Sequence, residues 1–358
     1  MLKAISLFSG AGGDTLGMIS AGIDVIGYIE NNESAIKTHE ANFTECKLIG
    51  KDITKIPDDV FKNYTGIIDI IFGGFPCQSF SHGGKKNAND KRGFLYQEFV
   101  RCTDIIKPKI VIGENVKGLL SRKMNDGSLF IDKIISDFSN IGYDMKMSLF
   151  NMKHYGIPQD RQRLIIYGIK RGVDLDFNLQ NIEKTSPIFL KDILQPSLER
   201  ALQITSNTGE YESQIKRLFP SDVITIDSRS PYWGTVKPPL KPPTNLIKCV
   251  NNGEISFKKR SRSTYSCIID KNDVSRTILS TYSRMPRLFV PIKSNNSYYL
   301  RPYTVRELAL IQGFPESFIF KGSYIEQVVQ IGNAIPPLFV EKLFKYIVDI
   351  INGDTIEI

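Results

Sequence analysis

Short runs of β-branched and other apolar residues alternate with helical patterns over about the first 180 residues, and that alternation permits few folds. Ala4–Phe8, Val25–Ile29, Ile67–Phe72, Ile110–Gly113, Met145–Phe150 and Leu164–Gly168 read as strands. Asp14–Ala21, Glu33–Asn42, Tyr96–Ile106 and Ser128–Ile141 read as helices. The pattern predicts an α/β fold with a doubly wound, mostly parallel sheet. Such sheets take their ligands at the C-terminal edge of the strands, so the residues that follow each strand carry the functional question.

From about residue 186 the texture changes. Prolines cluster at Pro231, Pro238, Pro239, Pro242 and Pro243, serines and basic residues become dense, and no long helix is evident. Helical periodicity returns at Thr304–Ile311 and Pro336–Ile351. The expected division is an α/β domain at 1–185, a smaller, loop-rich domain at 186–300, and a return segment at 301–358 whose C-terminal helix packs back on the first domain. Charge follows this division. The chain has 46 Lys and Arg against 38 Asp and Glu, and residues 186–300 hold 17 of the former and nine of the latter. The remainder carries 29 of each, so the whole excess of +8 lies in the insert. A surface of that kind suits a polyanion, although a merely solvated basic face has the same composition.

At 358 residues, 41% apolar and 23% charged, the chain reads as globular and large enough for two domains. Its five cysteines are odd in number and form no C-x-x-C pair, which argues against a disulfide framework and a zinc site and favours a reducing compartment. Met1–Phe8 is too short an apolar run for a signal peptide, and no later run reaches membrane-spanning length. The expected location is the cytoplasm, with no metal and no membrane partner.

Strand 1 runs into Phe8-Ser9-Gly10-Ala11-Gly12-Gly13-Asp14. A glycine turn there lets the backbone approach a nucleotide-like ligand and opens a helix that faces it. The third glycine of the dinucleotide fingerprint is Thr15, so a nucleotide site and a simple structural turn both fit the spacing. Glu30 ends the second strand, where an acid can accept hydrogen bonds from ribose hydroxyls, and Asp52 follows the third.

Gly73-Gly74-Phe75-Pro76-Cys77-Gln78-Ser79-Phe80-Ser81 places a cysteine just after an apolar run, where a buried strand opens into a loop. A thiolate held there is a candidate nucleophile; a lone cysteine is otherwise more often a structural thiol. Glu114-Asn115-Val116 follows the next strand, and a carboxyl at that rim is a candidate general acid or hydrogen-bond partner. Gln159-Asp160-Arg161-Gln162-Arg163 sets two guanidiniums two residues apart, on one side of an extended chain. Arginine forks suit carbonyl and phosphate oxygens, and an ion pair on a solvated edge is the plainer reading of each motif alone.

These motifs occur together and in order with Arg301-Pro302-Tyr303-Thr304-Val305-Arg306-Glu307, Gln312-Gly313-Phe314-Pro315 and Gly332-Asn333-Ala334-Ile335-Pro336. The series resembles the cytosine-C5 DNA methyltransferases of bacterial restriction–modification type, over roughly residues 1–170 and 298–345. The resemblance implies a Rossmann-like methyltransferase sheet, S-adenosylmethionine as cofactor, and methylation at C5 of a flipped-out cytosine. It assigns Cys77 as the nucleophile, with Pro76 and Gln78 beside it. Glu114 would hydrogen-bond N3 and the exocyclic amine, and Arg163, with Arg161 in the same group, would reach the O2 carbonyl.

For the cofactor the resemblance implies Glu30 on the ribose, Asp52 on the adenine amino group and Phe8 against the adenine ring. Gly10, Gly12, Gly13, Asn31, Ile53, Leu95 and Asn333 complete that set. The basic insert becomes a target-recognition domain, with Arg260, Arg262, Arg276, Arg284 and Arg287 as candidate contacts to double-stranded DNA. The implied partners are that DNA and a cognate restriction endonuclease acting separately; the implied state is a monomer. Asp14 departs from the family, which often has an apolar residue there.

An RNA cytosine-C5 methyltransferase is the nearest rival, and the long basic insert favours duplex DNA over it. A catalytically dead DNA-binding relative would not need Cys77, Glu114 and Arg163 together. Thr15 disfavours an NAD-dependent oxidoreductase, and His39, His82 and His154 offer a cysteine hydrolase no recognisable pairing.

Overall fold

A computed structural model describes residues 1–76, 95–203, 224–226, 267–284, 287–295 and 297–353. The first part of the chain forms β1 (Lys3–Leu7), α1 (Gly13–Ser20), β2 (Asp24–Ile29), α2 (Glu33–Asn42), β3 (Lys47–Gly50), α3 (Asp58–Lys62) and β4 (Ile70–Gly73). It continues through α4 (Leu95–Ile106), β5 (Ile110–Val116), α5 (Phe130–Asn140), β6 (Tyr143–Asn151), β7 (Gln159–Asp160) and β8 (Gln162–Lys170). Seven of these strands make one sheet in the order β3-β2-β1-β4-β5-β8-β6. Six run parallel, and β8 runs against β5 and β6. Strand order reverses between β1 and β4, so the crevice at their C-terminal ends is the ligand position this topology creates.

Both faces of the sheet are covered, as its continuous apolar strands require. Successive residues alternate between two cores. Ala4, Tyr28, Phe72, Ile112 and Tyr167 pack on one side, and Ile5, Ile29, Ile71, Val111 and Ile166 on the other. The second side is closed by Phe99 and Cys102 of α4 and by Ile134 and Phe138 of α5. The first is closed by α1 and by α8 (Pro337–Asn352), introduced below, through Phe339, Val340, Leu343, Phe344 and Ile347. Each of those five is fully buried, worth roughly 1.5–3 kcal/mol apiece in transfer terms.

The later elements are β9 (Leu202–Gln203), β10 (Ile224–Ile226), β11 (Cys267–Ile268), β12 (Ser275–Arg276), β13 (Leu288–Ser294), β14 (Ser297–Arg301), α6 (Val305–Ile311), α7 (Tyr324–Asn333) and α8. β13 and β14 form the hairpin at the centre of a small second sheet. The described residues of 186–300 share a core with the first domain: Leu190, Leu194, Ile278, Tyr282 and Val290 belong to the cluster that holds Tyr28 and Phe72. The junction is fixed by Arg301, fully buried, which binds both carboxylate oxygens of Glu307 at 2.7 Å and the carbonyls of Gln195 and Ser197.

Two local expectations are corrected. The strand expected at Ile67–Phe72 begins at Ile70, because Ile67 lies in the turn after α3 and is nearly half exposed. Helix α7 was not expected at all. Its signal was present in Ser323 and Glu326, which make a reciprocal capping box. The proline cluster at 231–243 lies outside the described residues.

α1 approaches α8 closely because two of its residues lack a side chain. A Cβ on Gly13 would stand 2.4 Å from the Ile335 carbonyl oxygen, and one on Gly17 2.6 Å from that of Pro337. The N-terminal helix and the C-terminal segment therefore meet directly behind the glycine turn.

Candidate active site

The turn after β1 is held in an unusual backbone conformation, with Phe8, Gly10 and Gly12 at φ +58°, +56° and +85°. Glu30 anchors it. One carboxylate oxygen accepts the Gly10 N–H at 2.8 Å, and the other accepts those of Asn31 and Asn32 at 2.9 and 2.8 Å. Thus the loop after β2 is tied to the loop after β1. Asp52, after β3, accepts the Thr54 N–H at 3.1 Å and its hydroxyl at 2.7 Å, capping the short turn that begins at buried Ile53. The Thr54 hydrogen bonds hold its carboxyl below the usual range. Arg101 of α4 grips the same turn, donating to the Ile53 carbonyl at 2.9 Å.

Behind the turn lies a polar chain that sequence reading missed. The Ser6 hydroxyl donates to one oxygen of Asp14, and Ser9 donates to the other at 3.2 Å. Ser9 also meets the Thr15 hydroxyl at 3.2 Å, which meets His39 Nε2 at 3.0 Å. Burial pushes the Asp14 carboxyl up to about 6 and His39 down to about 3. Among the described residues neither Glu30 nor Asp14 pairs with a lysine or arginine. In a dinucleotide site a turn of this kind presents free N–H groups to a phosphate. Here the Gly10 N–H is already occupied and two carboxylates line the turn, an arrangement that opposes an anion and suits a cationic ligand.

The other end of the edge is built by β4, β5 and β8. Val116 lies opposite Arg163 across the antiparallel pair, which brings the start of β8 to the end of β5. Arg163 Nε stands 2.8 Å from Glu114 Oε1, with the two side chains only 11% and 13% exposed. Burial lowers the Arg163 pKa, and the Glu114 carboxylate opposes that fall. Glu114 Oε2 lies 3.9 Å from the position a Cβ on Gly74 would take, so the carboxylate sits beneath the entry to the Cys77 loop. Asn115, also missed from sequence, donates to the Phe75 carbonyl at 3.1 Å and accepts the Val116 N–H at 2.9 Å. It fixes the backbone just before half-buried Pro76. Cys77 and Gln78 lie outside the described residues.

Arg161 departs from expectation. β7 pairs with β12 rather than with the main sheet, and Arg161 bonds different partners from Arg163, although it lies within electrostatic reach of both Arg163 and Glu114. Arg161 is 1% exposed, and its Nη atoms are spent on the carbonyls of Ile278, Gly332 and Ala334 at 3.0–3.2 Å. Gln159 assists by accepting the Ile278 N–H at 3.0 Å and donating to Gln312 at 2.6 Å. Arg161 is therefore a brace between three distant segments. Burial and the neighbouring Arg163 depress its pKa strongly.

Asn333, between two carbonyls bound by Arg161, is itself exposed. Leu95 opens α4 and is half-buried. Arg276 and Arg284 are exposed, Arg287 is half-buried, and Arg260 and Arg262 lie outside the described residues. Arg276 pairs in register with Asp160, close to Arg163 in sequence. Among the described residues no group of three or more His, Cys, Asp or Glu could hold a metal ion, and no helix is long and apolar enough to cross a membrane.

Comparison with known proteins agrees with this arrangement. Residues 2–349 match the family model of C-5 cytosine-specific DNA methylases. The type II methyltransferase M.NgoFVII of Neisseria gonorrhoeae is 33% identical, covering 98% of this chain and 88% of its own length. M.DdeI of Desulfomicrobium norvegicum is 29% identical over all of this chain and 92% of its own. Among solved structures, a prophage-encoded DNA modification methyltransferase of E. coli superposes with a TM-score of 0.67 at 24% identity, over 98% of this chain and 100% of that one. The S. pombe Dnmt2 methyltransferase superposes at 0.65 with 17% identity, over 98% and 100%. These last two are likenesses of fold. With a family match across nearly its whole length, the chain belongs to the C-5 cytosine-specific DNA methylases and is a DNA cytosine-5-methyltransferase.

Proposed function

We propose that the enzyme moves a methyl group from S-adenosylmethionine to C5 of a cytosine flipped out of double-stranded DNA, with Cys77 bonded covalently to C6 during the reaction. One observation carries this reading: the order of groups along a single sheet edge. Asp52 follows β3, Glu30 follows β2 and the glycine turn follows β1; Phe75 and Pro76 lead from β4 toward Cys77, and Glu114 and Arg163 lie on β5 and β8. Neighbouring strands are about 4.8 Å apart, so cofactor groups and base groups meet at the β1–β4 reversal.

Glu30 would hold the ribose, Asp52 the adenine amino group and Phe8 the adenine face. Gly10, Gly12, Gly13, Asn31, Ile53, Leu95 and Asn333 would shape the rest of the pocket. Two carboxylates at the turn support a ligand bearing a sulfonium charge over a pyrophosphate. Cytosine C5 is a poor nucleophile unaided. Addition of the Cys77 thiolate to C6 opens the C5=C6 double bond and makes C5 enamine-like, with Glu114 hydrogen-bonded to N3 and the exocyclic amine and Arg163 on the O2 oxygen. S-adenosylmethionine supplies the electrophilic methyl group that C5 takes up. Loss of the C5 proton to a base then expels the Cys77 thiolate and restores the double bond.

Residues 186–300, which hold the whole positive excess, would read the target, with Arg260, Arg262, Arg276, Arg284 and Arg287 as candidate contacts. The functional division is then 1–185, 186–300 and 301–358. The reading extends to a cytoplasmic, monomeric enzyme whose partners are double-stranded DNA and a cognate endonuclease acting separately; the curated relatives are named type II methyltransferases. The test is DNA from cells expressing the protein, sequenced for 5-methylcytosine, followed by a duplex carrying 5-fluorocytosine at the mapped site. The wild type should leave a stable adduct and Cys77→Ser none. An adduct with Cys77→Ser, or none with the wild type, removes Cys77 from the mechanism.

A further inference from the structure

Asp14 is the chain's own departure at the cofactor turn, and the structure gives it surroundings that call for an explanation. It lies in the first turn of α1, 3% exposed, with hydroxyls of Ser6 and Ser9 on its two oxygens. An asparagine has the same shape and could accept from one hydroxyl while donating to the other, without the cost of burying a charge. The carboxylate is therefore the costlier choice at this position.

Among the described residues, its neighbours leave that charge uncompensated. From α2 comes His39, joined through Thr15; from β2 come Tyr28, stacked on His39 at 3.6 Å, and Glu30; from the start of β3 comes Cys46. Burial lowers His39 to about 3 and raises Cys46 to about 12 and the Tyr28 phenol still further, so all three stay neutral between pH 5 and 8. From α8, the residues that meet α1 at Gly17 are Pro337 and Val340, neither of them ionisable. Asp14 and Glu30 thus set the sign of the field at the turn.

We propose that Asp14 makes the cofactor turn discriminate by charge, favouring the sulfonium of S-adenosylmethionine over the neutral thioether left after methyl transfer. This rests on the cofactor reading given above. Substrate and product share every other group, so their ratio of dissociation constants isolates the sulfonium. A carboxylate behind the turn attracts that cation and offers the thioether nothing, and once its charge has been transferred away the product is held less firmly. The link through Ser9 is separate: it positions the turn for both ligands alike.

The experiment is calorimetric binding of S-adenosylmethionine and S-adenosylhomocysteine to the wild type, Asp14→Asn and Ser9→Ala, at pH 7.5 and pH 5.0. At pH 7.5 the preference for the sulfonium should fall at least threefold in Asp14→Asn. Lowering the pH to 5.0 should cause a similar fall in the wild type and leave Asp14→Asn unchanged. Ser9→Ala should weaken both ligands and keep their ratio. A wild-type ratio in Asp14→Asn at pH 7.5, or an undiminished pH response in that variant, overturns the proposal. If the wild type binds neither compound, the cofactor reading itself fails.

Discussion

Glu114 and Asp14 are both carboxylates withdrawn from water, on either side of the β1–β4 reversal of one sheet, yet they are held by different means. Glu114 meets the Arg163 guanidinium at 2.8 Å; among the described residues Asp14 meets hydroxyls and main-chain N–H groups and no cation. A carboxylate paired with arginine spends most of its field on that partner, and a substrate must compete for it. A carboxylate held by hydroxyls keeps its field available to whatever arrives. On the proposed function, the base end would favour directional contacts with a neutral ring, and the cofactor end long-range preference by charge.

The largest test of this contrast is at the base end. Glu114→Gln should lower turnover by roughly 10²–10⁴-fold, the range for such groups, with little change in cofactor affinity. Turnover near the wild-type rate would take Glu114 out of the mechanism and leave the pair with Arg163 purely structural.

Arg161, two residues from Arg163, should behave in the opposite manner. Arg161→Ala strands three main-chain carbonyls in the interior, at about 1–3 kcal/mol each, partly offset by removal of a buried cation. The net expectation is a loss of about 2–4 kcal/mol in a denaturant titration. A variant as stable as the wild type would mean that Arg161 does not brace these segments.

Asp14 gives a pH signature of definite sign. Its carboxyl is raised in the folded state from 3.8 to about 6, so it favours folding at low pH and loses that contribution as pH rises through about 6. His39, lowered from 6.5 to about 3, works the other way: its contribution is present above about 6.5 and is lost as pH falls. Comparing variants removes the His39 term. Asp14→Asn should gain stability relative to the wild type between pH 4 and 7.5, by at most about 3 kcal/mol. A difference between the two proteins that is flat with pH would show that Asp14 does not titrate in this interval.

The smallest effect concerns the insert. If exposed Arg276 contacts a phosphate, Arg276→Gln should reduce the salt slope of DNA binding by about one and weaken all sequences alike. Loss of selectivity at a single base pair, with the slope intact, would make it a base reader.

The sequence carried the sheet well, because buried parallel strands are continuous β-branched runs, and the glycine turn, Glu30 and Glu114 each follow such a run. It carried Arg161 badly. Two arginines spaced by one residue look equivalent on an extended chain, and both are buried; what separates them is their partners, main-chain carbonyls of residues 278, 332 and 334 for Arg161 and Glu114 for Arg163, which only the folded chain brings together. Asn115 and Asp14 were illegible for a related reason. Their partners, the Phe75 carbonyl and the hydroxyls of Ser6 and Ser9, become neighbours only once the strands are stacked. Helix α7 is different, since its capping box was present in the sequence and was overlooked.

The contact of Gly13 with the Ile335 carbonyl, and of Gly17 with Pro337, has a temporal meaning. The floor of the turn is made of residues more than three hundred positions apart, so synthesis must pass residue 337 before the turn can be completed. Until then α1 has its glycine face uncovered and the nascent protein has no finished place for a methyl donor. A fragment ending at residue 300 should bind no S-adenosylmethionine and recover binding when a peptide spanning 301–353 is added; binding by the fragment alone would show that the floor is dispensable. Synthesis would then withhold cofactor binding until residues 335–337 had been made.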